Sequence, residues 1–445
     1  MKQRLGPAVT IGHTRPDPPF WGQRYLTFNA IIRVNSVEAS RTRWFGSNEE
    51  SRNTPANMQR MRRAITREFP QGRITWAISW LALHEQSRNY RAVRKQALEY
   101  HHRYGDEITF TVGGFFPNVY NYRKQVSRDL HAGLAAVSRL VGGGYRPKSV
   151  VAGYLAAENH RFLAEEQDIH VCQGNIWSQY GIDALDDDGS ICYPYYPSRE
   201  HTLKPAQGPA DFIDCVSLDG WTCDFVAARQ PGFKDGFNSR LGLGPIETLF
   251  QHNFSRKVGL RQLLATTGIH FDRGFALNRF GWATTIWELC LMDNEGADQS
   301  LAAWLHAVRR RWPNTRMITQ GEFGMAWRKE FPNNAQLNYR FAHKGTGIFG
   351  SDASVEVRWY MNRKFRLALL RDWRHQSPWK VIDLTRYDLP AHEPPGLARN
   401  WSLINLRNQK QTRPQDLPVR LEHLPAAQQT LIANYYPTLI SESGL

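Results

Sequence analysis

The stretch RITWAISWLAL, residues 73–83, decides how the chain is read. Its side chains alternate in size along a strand. Trp76, Ile78 and Trp80 fall on one face, and Thr75, Ala77 and Ser79 on the other. Large residues suit a face packed on outer helices, and small ones suit a face that points into a narrow interior. A strand this apolar is covered on both sides, as parallel strands are. His84 and Glu85 follow where the strand would end.

The same kind of segment recurs on either side of it: YLTFNAIIRVN, EITFTVGG, SVVAGYLAA, HVCQGNIW, FIDCVSLDGW, WATTIWELCLM and RMITQGEFG. Helical patterns lie between them, such as ADQSLAAWLHAVRRRW and TPANMQRMRRAITREF. In the latter, Thr54 is a cap and Pro55 sits in the first turn. Eight strand–helix units over ~300 residues predict an α/β fold, a (β/α)7 or (β/α)8 barrel rather than an open sheet. Residues 1–20 read as a proline-rich N-terminal arm and 21–337 as the barrel, a catalytic domain. Residues 338–445 lose the strand–helix rhythm and read as a smaller, mostly β C-terminal lobe.

With 41% hydrophobic and 12% aromatic residues, the chain can bury a sizeable core and is not a disordered one. The net charge of +15 favours an anionic partner. The basic residues are spread along helix faces, as in MRRAITR and RNYRAVRKQ, with no zinc-finger or RNA-recognition spacing beside them. The expected partner is therefore a carbohydrate, anionic ones included, and not nucleic acid. The 15 Trp offer flat platforms for sugar rings. Five cysteines without a CxxC pair read as small buried residues, not as a disulfide frame or zinc site. No apolar run reaches the ~18 residues of a membrane span. The first twenty residues lack a signal-peptide core, which fits a cytoplasmic protein, or a periplasmic or secreted one whose leader has been removed.

In such a barrel the chemistry sits at the C-terminal strand ends. Carboxylates there stand among amides and indoles: Glu158, Asn159 and His160 after the fourth strand, Trp177 after the fifth, Asp219 and Trp221 after the sixth, Trp287 and Glu288 at the seventh, Glu322 and Trp327 after the eighth. Glycoside hydrolysis needs two carboxylates across the scissile bond, roughly 5 Å apart for retention and roughly 6.5–9.5 Å for inversion. The catalytic candidates are Glu158, Glu288 and Asp219. His84, Glu85, Asn159, His160, Trp177, Trp221, Trp287, Glu322 and Trp327 are candidate substrate contacts. Each has a plainer rival. Glu158 also suits the first turn of a helix, His160 suits a core, and Asp219 in SLDGW suits a turn. Glu288 inside an apolar run needs a partner or a raised pKa. Asp186, Asp187 and Asp188 lack calcium-loop spacing and read as a solvated turn.

The order ITWAISWLALHE, YHHRYGDEITFTVGGFFPN and VVAGYLAAENHRFLAEEQDIHVCQGNIW resembles the superfamily of polysaccharide deacetylases and retaining glycoside hydrolases with (β/α)7-type barrels. IDCVSLDGWTCDF and TQGEFGMAWR also resemble a family of proteins from gut Bacteroides-type bacteria. The deacetylase branch implies a metal held by an Asp at the first strand and an HxxxH pair after the third. Here Asn29 and Asn35 stand at the first, and GGFFPN ends the third. The glycosidase branch implies a nucleophile at the fourth strand and an acid at the seventh, where Glu158 and Glu288 lie. The expectation is a metal- and cofactor-independent glycoside hydrolase. Its alternatives are a deacetylase with a non-standard metal site from His84, His160 and Asp219, or a non-catalytic glycan-binding protein.

Overall fold

The structure is a computed structural model that describes residues 19–178, 188–229, 240–251, 255–403 and 418–442. β1 (Arg24–Ile32) leads into a hairpin of β2 (Asn35–Ser40) and β3 (Arg43–Asn48). Next come α1 (Pro55–Glu68), β4 (Thr75–Ile78), α2 (Trp80–His84), α3 (Arg88–Tyr104) and β5 (Glu107–Phe110). They are followed by α4 (Pro117–Tyr120), α5 (Arg123–Val141), β6 (Val150–Val151), α6 (Ala157–Gln167), β7 (Val171–Asn175) and β8 (Val216–Asp219). The series ends with α7 (Phe225–Arg229), α8 (Arg256–Gly268), α9 (Phe275–Asn278), β9 (Gly281–Glu288), α10 (Ala297–Arg311), β10 (Thr315–Met317) and α11 (Gln320–Glu330).

All eight expected strands are present, each shorter than its apolar run. RITWAISWLAL shows why. The strand stops at Ile78 because the Ser79 side chain accepts the Ala82 N–H and starts α2, which takes Trp80 off the strand face. Trp76 and Ile78 pack outward with Met58, Met61 and Val93, whereas Ala77 packs in the inner core with Ile31 and Val151.

The strands are parallel. β9 runs along one edge of β1. β10 and β4 share the other, β10 beside Arg24–Leu26 and β4 beside Asn29–Ile32, and β5 follows β4. A second parallel sheet has the order β6-β7-β8. The two sheets touch twice. Thr111 bridges Val151, with the Val112 N–H donating to Val151 O at 3.4 Å. On the other side, beyond β8, the Thr222 N–H donates to Thr284 O of β9 at 3.0 Å. The α/β class with helix-covered parallel strands is present, and its hydrogen bonds compose two sheets joined at these seams rather than one continuous ring.

Two long segments whose apolar spacing reads as continuous helix are broken. VYNYRKQVSRDLHAGLAAVSRLV divides into α4 and α5. GPIETLFQHNFSRKVGLRQLLATTGIHF becomes a π-helical turn over Ile246–Gln251, then α8, then a second π-helical turn over Ile269–Gly274. The expected arm lies mostly outside the described residues, but Phe20 is buried against Tyr25 and Phe280.

From Asn338 the chain forms an antiparallel sheet: β11 (Asn338–Lys344), β12 (Val355–Asn362), β13 (Phe365–Asp372), β14 (Lys380–Arg386) and β15 (Val419–Arg420). A helix over Ala426–Tyr435 packs on it through Ile432. Fully buried Arg366 ties the sheet to the first sheets. It bonds Asp383 and Asp188, each at 2.7 Å, and donates to Ser190 O at 2.8 Å and Trp177 O at 3.2 Å. Asp188 is thus an interior ion-pair partner and not part of a solvated turn. Asp186 and Asp187 lie outside the described residues. All five cysteines are buried and free. Among the described residues no helix is long and apolar enough to cross a membrane.

Candidate active site

The strand ends open into a cavity of ≈ 320 Å³. Ile31 and Arg33 reach it from β1, Val37 from the hairpin, Phe115 and Phe116 from the loop after β5, Trp221 from the loop after β8, and Ile286 and Glu288 from β9. Arg240, Gly244 and Glu247 close it from the π-helical turn and the residues before it. The volume is within the range of small-ligand sites, ~300–1,000 Å³.

Two carboxylates line this cavity. Glu288 ends β9, one-quarter exposed, and its Oε1 is 3.1 Å from Arg33 Nη1. Arg33 also grips buried Glu49 with two bonds of 2.7 and 3.1 Å. Glu247 is almost fully buried and pairs with Arg240 at 3.2 Å. Burial raises its pKa. Arg240 and hydrogen bonds oppose that rise, and the negative charge of Glu288 adds to it.

The walls are aromatic. Trp221 and Phe115 lie nearly parallel, centroids 6.2 Å apart and planes 14° from each other. Arg240 stands over Trp221 at 5.3 Å. The Trp221 indole N–H is buried, with no acceptor among the described residues. Phe115 holds a left-handed φ of 77°, directly after Gly113 and Gly114 at 60° and 62°. Such a conformation costs a non-glycine residue roughly 1–3 kcal/mol and persists only where neighbours enforce it. Gly153 is one enforcer: a Cβ there would lie 1.9 Å from the Phe115 carbonyl oxygen. Outside, Tyr120 lines the mouth and meets exposed Phe45 of β3 edge-on at 5.6 Å.

Of the residues singled out in the sequence, the cavity gathers Glu288 and Trp221. Glu158 is exposed in the first turn of α6 and is not among the lining residues, as its helix-end reading requires. Asp219 ends β8 in the interior, where it accepts the N–H groups of Trp177 and Gly220 at 3.2 and 2.9 Å. Burial holds its pKa well above the usual carboxylate range. Asn159 is internal and bonds Asn118, Ser127 and the Arg123 carbonyl. His160 is fully buried against Gly174, and burial lowers its pKa to about 3. His84 is exposed and stacks on Trp80, while Glu85 caps the end of α2.

The remaining indoles are core residues. Trp177 sits edge-on to Phe225 and Trp359. Trp287 packs near Phe28. Trp327 stacks on Phe331 and donates to the Tyr339 hydroxyl. Glu322 forms a capping box with Thr319 and pairs with Arg73 at 2.9 Å. Sequence reading missed Glu247, Arg33, Arg240 and the Phe115 strain. The pair of glycines before Phe115 was the one available signal for the last.

The deacetylase metal does not fit these residues. His84, His160 and Asp219 are held apart by the contacts just described. Among the described residues no group of three His, Cys, Asp or Glu is arranged to hold a metal ion.

Residues 19–361 match the model of a family described as a Domain of Unknown Function with solved-structure structure (DUF3863), and residues 366–439 match a second, DUF3864. A crystal structure from Parabacteroides distasonis, provisionally described as a glycoside hydrolase/deacetylase, is 43% identical with a TM-score of 0.89. It covers 95% of this chain and 99% of its own. A structure from Mycobacterium smegmatis, provisionally described as a polysaccharide deacetylase, is 13% identical at a TM-score of 0.42, over 74% of this chain and 96% of its own. A GH57-type branching enzyme from Pyrococcus horikoshii is 9% identical at 0.42, over 67% and 69%. Overlaps as loose as these last two say nothing of chemistry. A comparison with curated proteins returned no match. With more than half its length matched by one family model and a relative this similar along both chains, the protein belongs to the DUF3863 family.

Proposed function

We propose that the protein is a carbohydrate-active enzyme, a glycoside hydrolase whose working carboxylates are Glu247 and Glu288. The observation that carries this reading is their shared place in one cavity beside the Trp221–Phe115 wall. The description of the Parabacteroides relative agrees with it at the level of substrate class. The raised pKa of Glu247 suits a general acid that protonates the leaving glycosidic oxygen. Glu288, paired with Arg33 at the cavity, suits the nucleophile or the base that activates water. The sugar stacks against the wall that Trp221 and Phe115 form, and the Trp221 indole N–H takes a hydroxyl. Tyr120 and Phe45 extend the surface outward for a longer chain.

On this reading the parallel strands act as a (β/α) barrel that carries the chemistry within residues 21–337, and residues 338–445 buttress it. Glu288→Gln and Glu247→Gln, assayed on plant, microbial and host polysaccharides, test the assignment. Each is expected to lose about 10²–10⁴-fold in rate. If both variants cleave a parental substrate at the parental rate, the reading is wrong.

A non-catalytic glycan-binding protein is the second reading. Both carboxylates already sit in ion pairs, as purely binding residues could. It predicts retained glycan binding with no cleavage by the parent protein.

A further inference from the structure

A second groove, of ≈ 390 Å³, lies between the α9 region and the C-terminal sheet. Arg273 and Leu277 form one wall. Arg340 of β11 and Arg358 and Tyr360 of β12 form the other, and Tyr435 lies at its edge. Three guanidinium groups therefore share one small space. The carboxylate beside them is Glu356, 3.3 Å from Arg358 and 3.8 Å from Arg273. Arg340 has no carboxylate partner among the described residues and lies over the Tyr436 ring at 5.1 Å. Arg358 lies over Trp379 at 4.3 Å. Asn338 accepts from Arg340 Nε at 3.4 Å and Glu356 from Arg358 Nε; stacking fixes the planes of these guanidinium groups, and their Nη groups face an oxyanion. Tyr435 is 38% exposed and supplies a flat apolar face with a polar tip.

We propose that this groove is a binding site for an acidic saccharide, a sugar ring that carries a carboxylate or a sulfate. Such a ligand offers an anion to the arginines and a ring face to the tyrosine at the same time. The groove is a short pocket bounded by Leu277 and Pro437–Leu439, not a track along which successive phosphates of a nucleic acid would lie. The site is separate from the cavity of Glu247 and Glu288 and stands whether or not that cavity is catalytic.

Isothermal titration of the full chain tests it, with an oligogalacturonate, a chondroitin sulfate oligosaccharide, a neutral malto-oligosaccharide and a short oligothymidylate as probes. At least one acidic sugar is expected to bind, with affinity that falls as salt rises. Binding weakens at least tenfold in Arg340→Gln, in Arg358→Gln and in Tyr435→Ala. It is unchanged in the Glu247→Gln/Glu288→Gln double variant. Thermal unfolding confirms that each variant is folded, and any two of the three suffice. Which acidic probe binds distinguishes the carboxylated source from the sulfated one. The proposal is overturned if neither acidic sugar binds, if the neutral sugar or the oligothymidylate binds as tightly and loses that binding in the Arg340→Gln and Arg358→Gln variants, or if the folded variants bind the acidic sugar like the parent.

Discussion

Arg33 holds Glu288 at 3.1 Å with one end of its guanidinium and Glu49 with the rest. The residue that leaves β1 thus pairs with the residue that ends β9, the strand beside it. Burial disfavours the charge on Arg33, but Glu288 and Glu49 outweigh this and raise its pKa. Among the described residues, Arg33→Met leaves the Glu49 carboxylate with Arg52, at 3.4 Å and more exposed. A loss of about 3 kcal/mol is expected from the broken buried pair. Glu288→Gln, at a wetter end of the same arginine, is expected to cost under ~1 kcal/mol. Urea midpoints of the two variants check the contrast.

Asp224 is fully buried between the two parts of the chain. It accepts bonds from Gln262, Ser351 and His343 and from the N–H groups of Val226 and Ala227. Burial alone would raise its pKa, but His343 and these hydrogen bonds win and lower it to about 2. A depressed carboxyl pKa stabilises the fold above the unfolded value, ~3.9, and that stability is lost as pH falls toward 2. The contribution is about 2 kcal/mol. Asp224→Asn is expected to flatten the acid limb of stability against pH between 4 and 2.

Asp219 has the opposite sign. Burial raises its pKa, so above pH ~4 the folded state keeps a proton that the unfolded chain releases, and stability falls as pH rises. Asp219→Asn removes this slope, because an amide oxygen can still accept the N–H groups of Trp177 and Gly220. The variant is expected to gain on the parent as pH rises above ~4 in urea denaturation and to keep its activity.

Arg366→Met removes the buried cation that Asp188 and Asp383 share. The expected cost is about 3–5 kcal/mol. A triple change that also makes both aspartates apolar is expected to recover most of it, read again from urea midpoints.

Gly153→Ala pushes a methyl group against the backbone of Phe115. It is expected to displace the ring that faces Trp221 and to weaken glycan binding in the main cavity about tenfold. Binding in the arginine groove, measured in the same titrations, is expected to stay at the parental value.

The strands were legible because each is a run buried on both faces, and burial on both faces is written directly as apolar composition. The β2–β3 hairpin was not, since Arg43–Asn48 is exposed throughout and shows no alternation of buried and exposed positions. Glu288 was legible as a carboxylate that an apolar run could not tolerate without a partner. Glu247 was not, because IETLFQ looks like ordinary helix and only the π-helical turn aims it inward. Glu158 satisfies a helix end and an active site equally well on paper, and burial alone separates the two. Trp177, Trp287 and Trp327 misled for a similar reason: a large aromatic after a strand fills a core as readily as it flanks a sugar.

The two seams between the parallel sheets have a mechanical consequence. Each rests on few backbone bonds, at Val112–Val151 and at Thr222–Thr284. Phe115 follows the first seam by three residues, and Trp221 immediately precedes the second. A guest lying across the edge of both rings would tie the two joints together. Its arrival would be recorded as slowed amide exchange at Val112 and Thr222, so the fold carries its own reporter of occupancy.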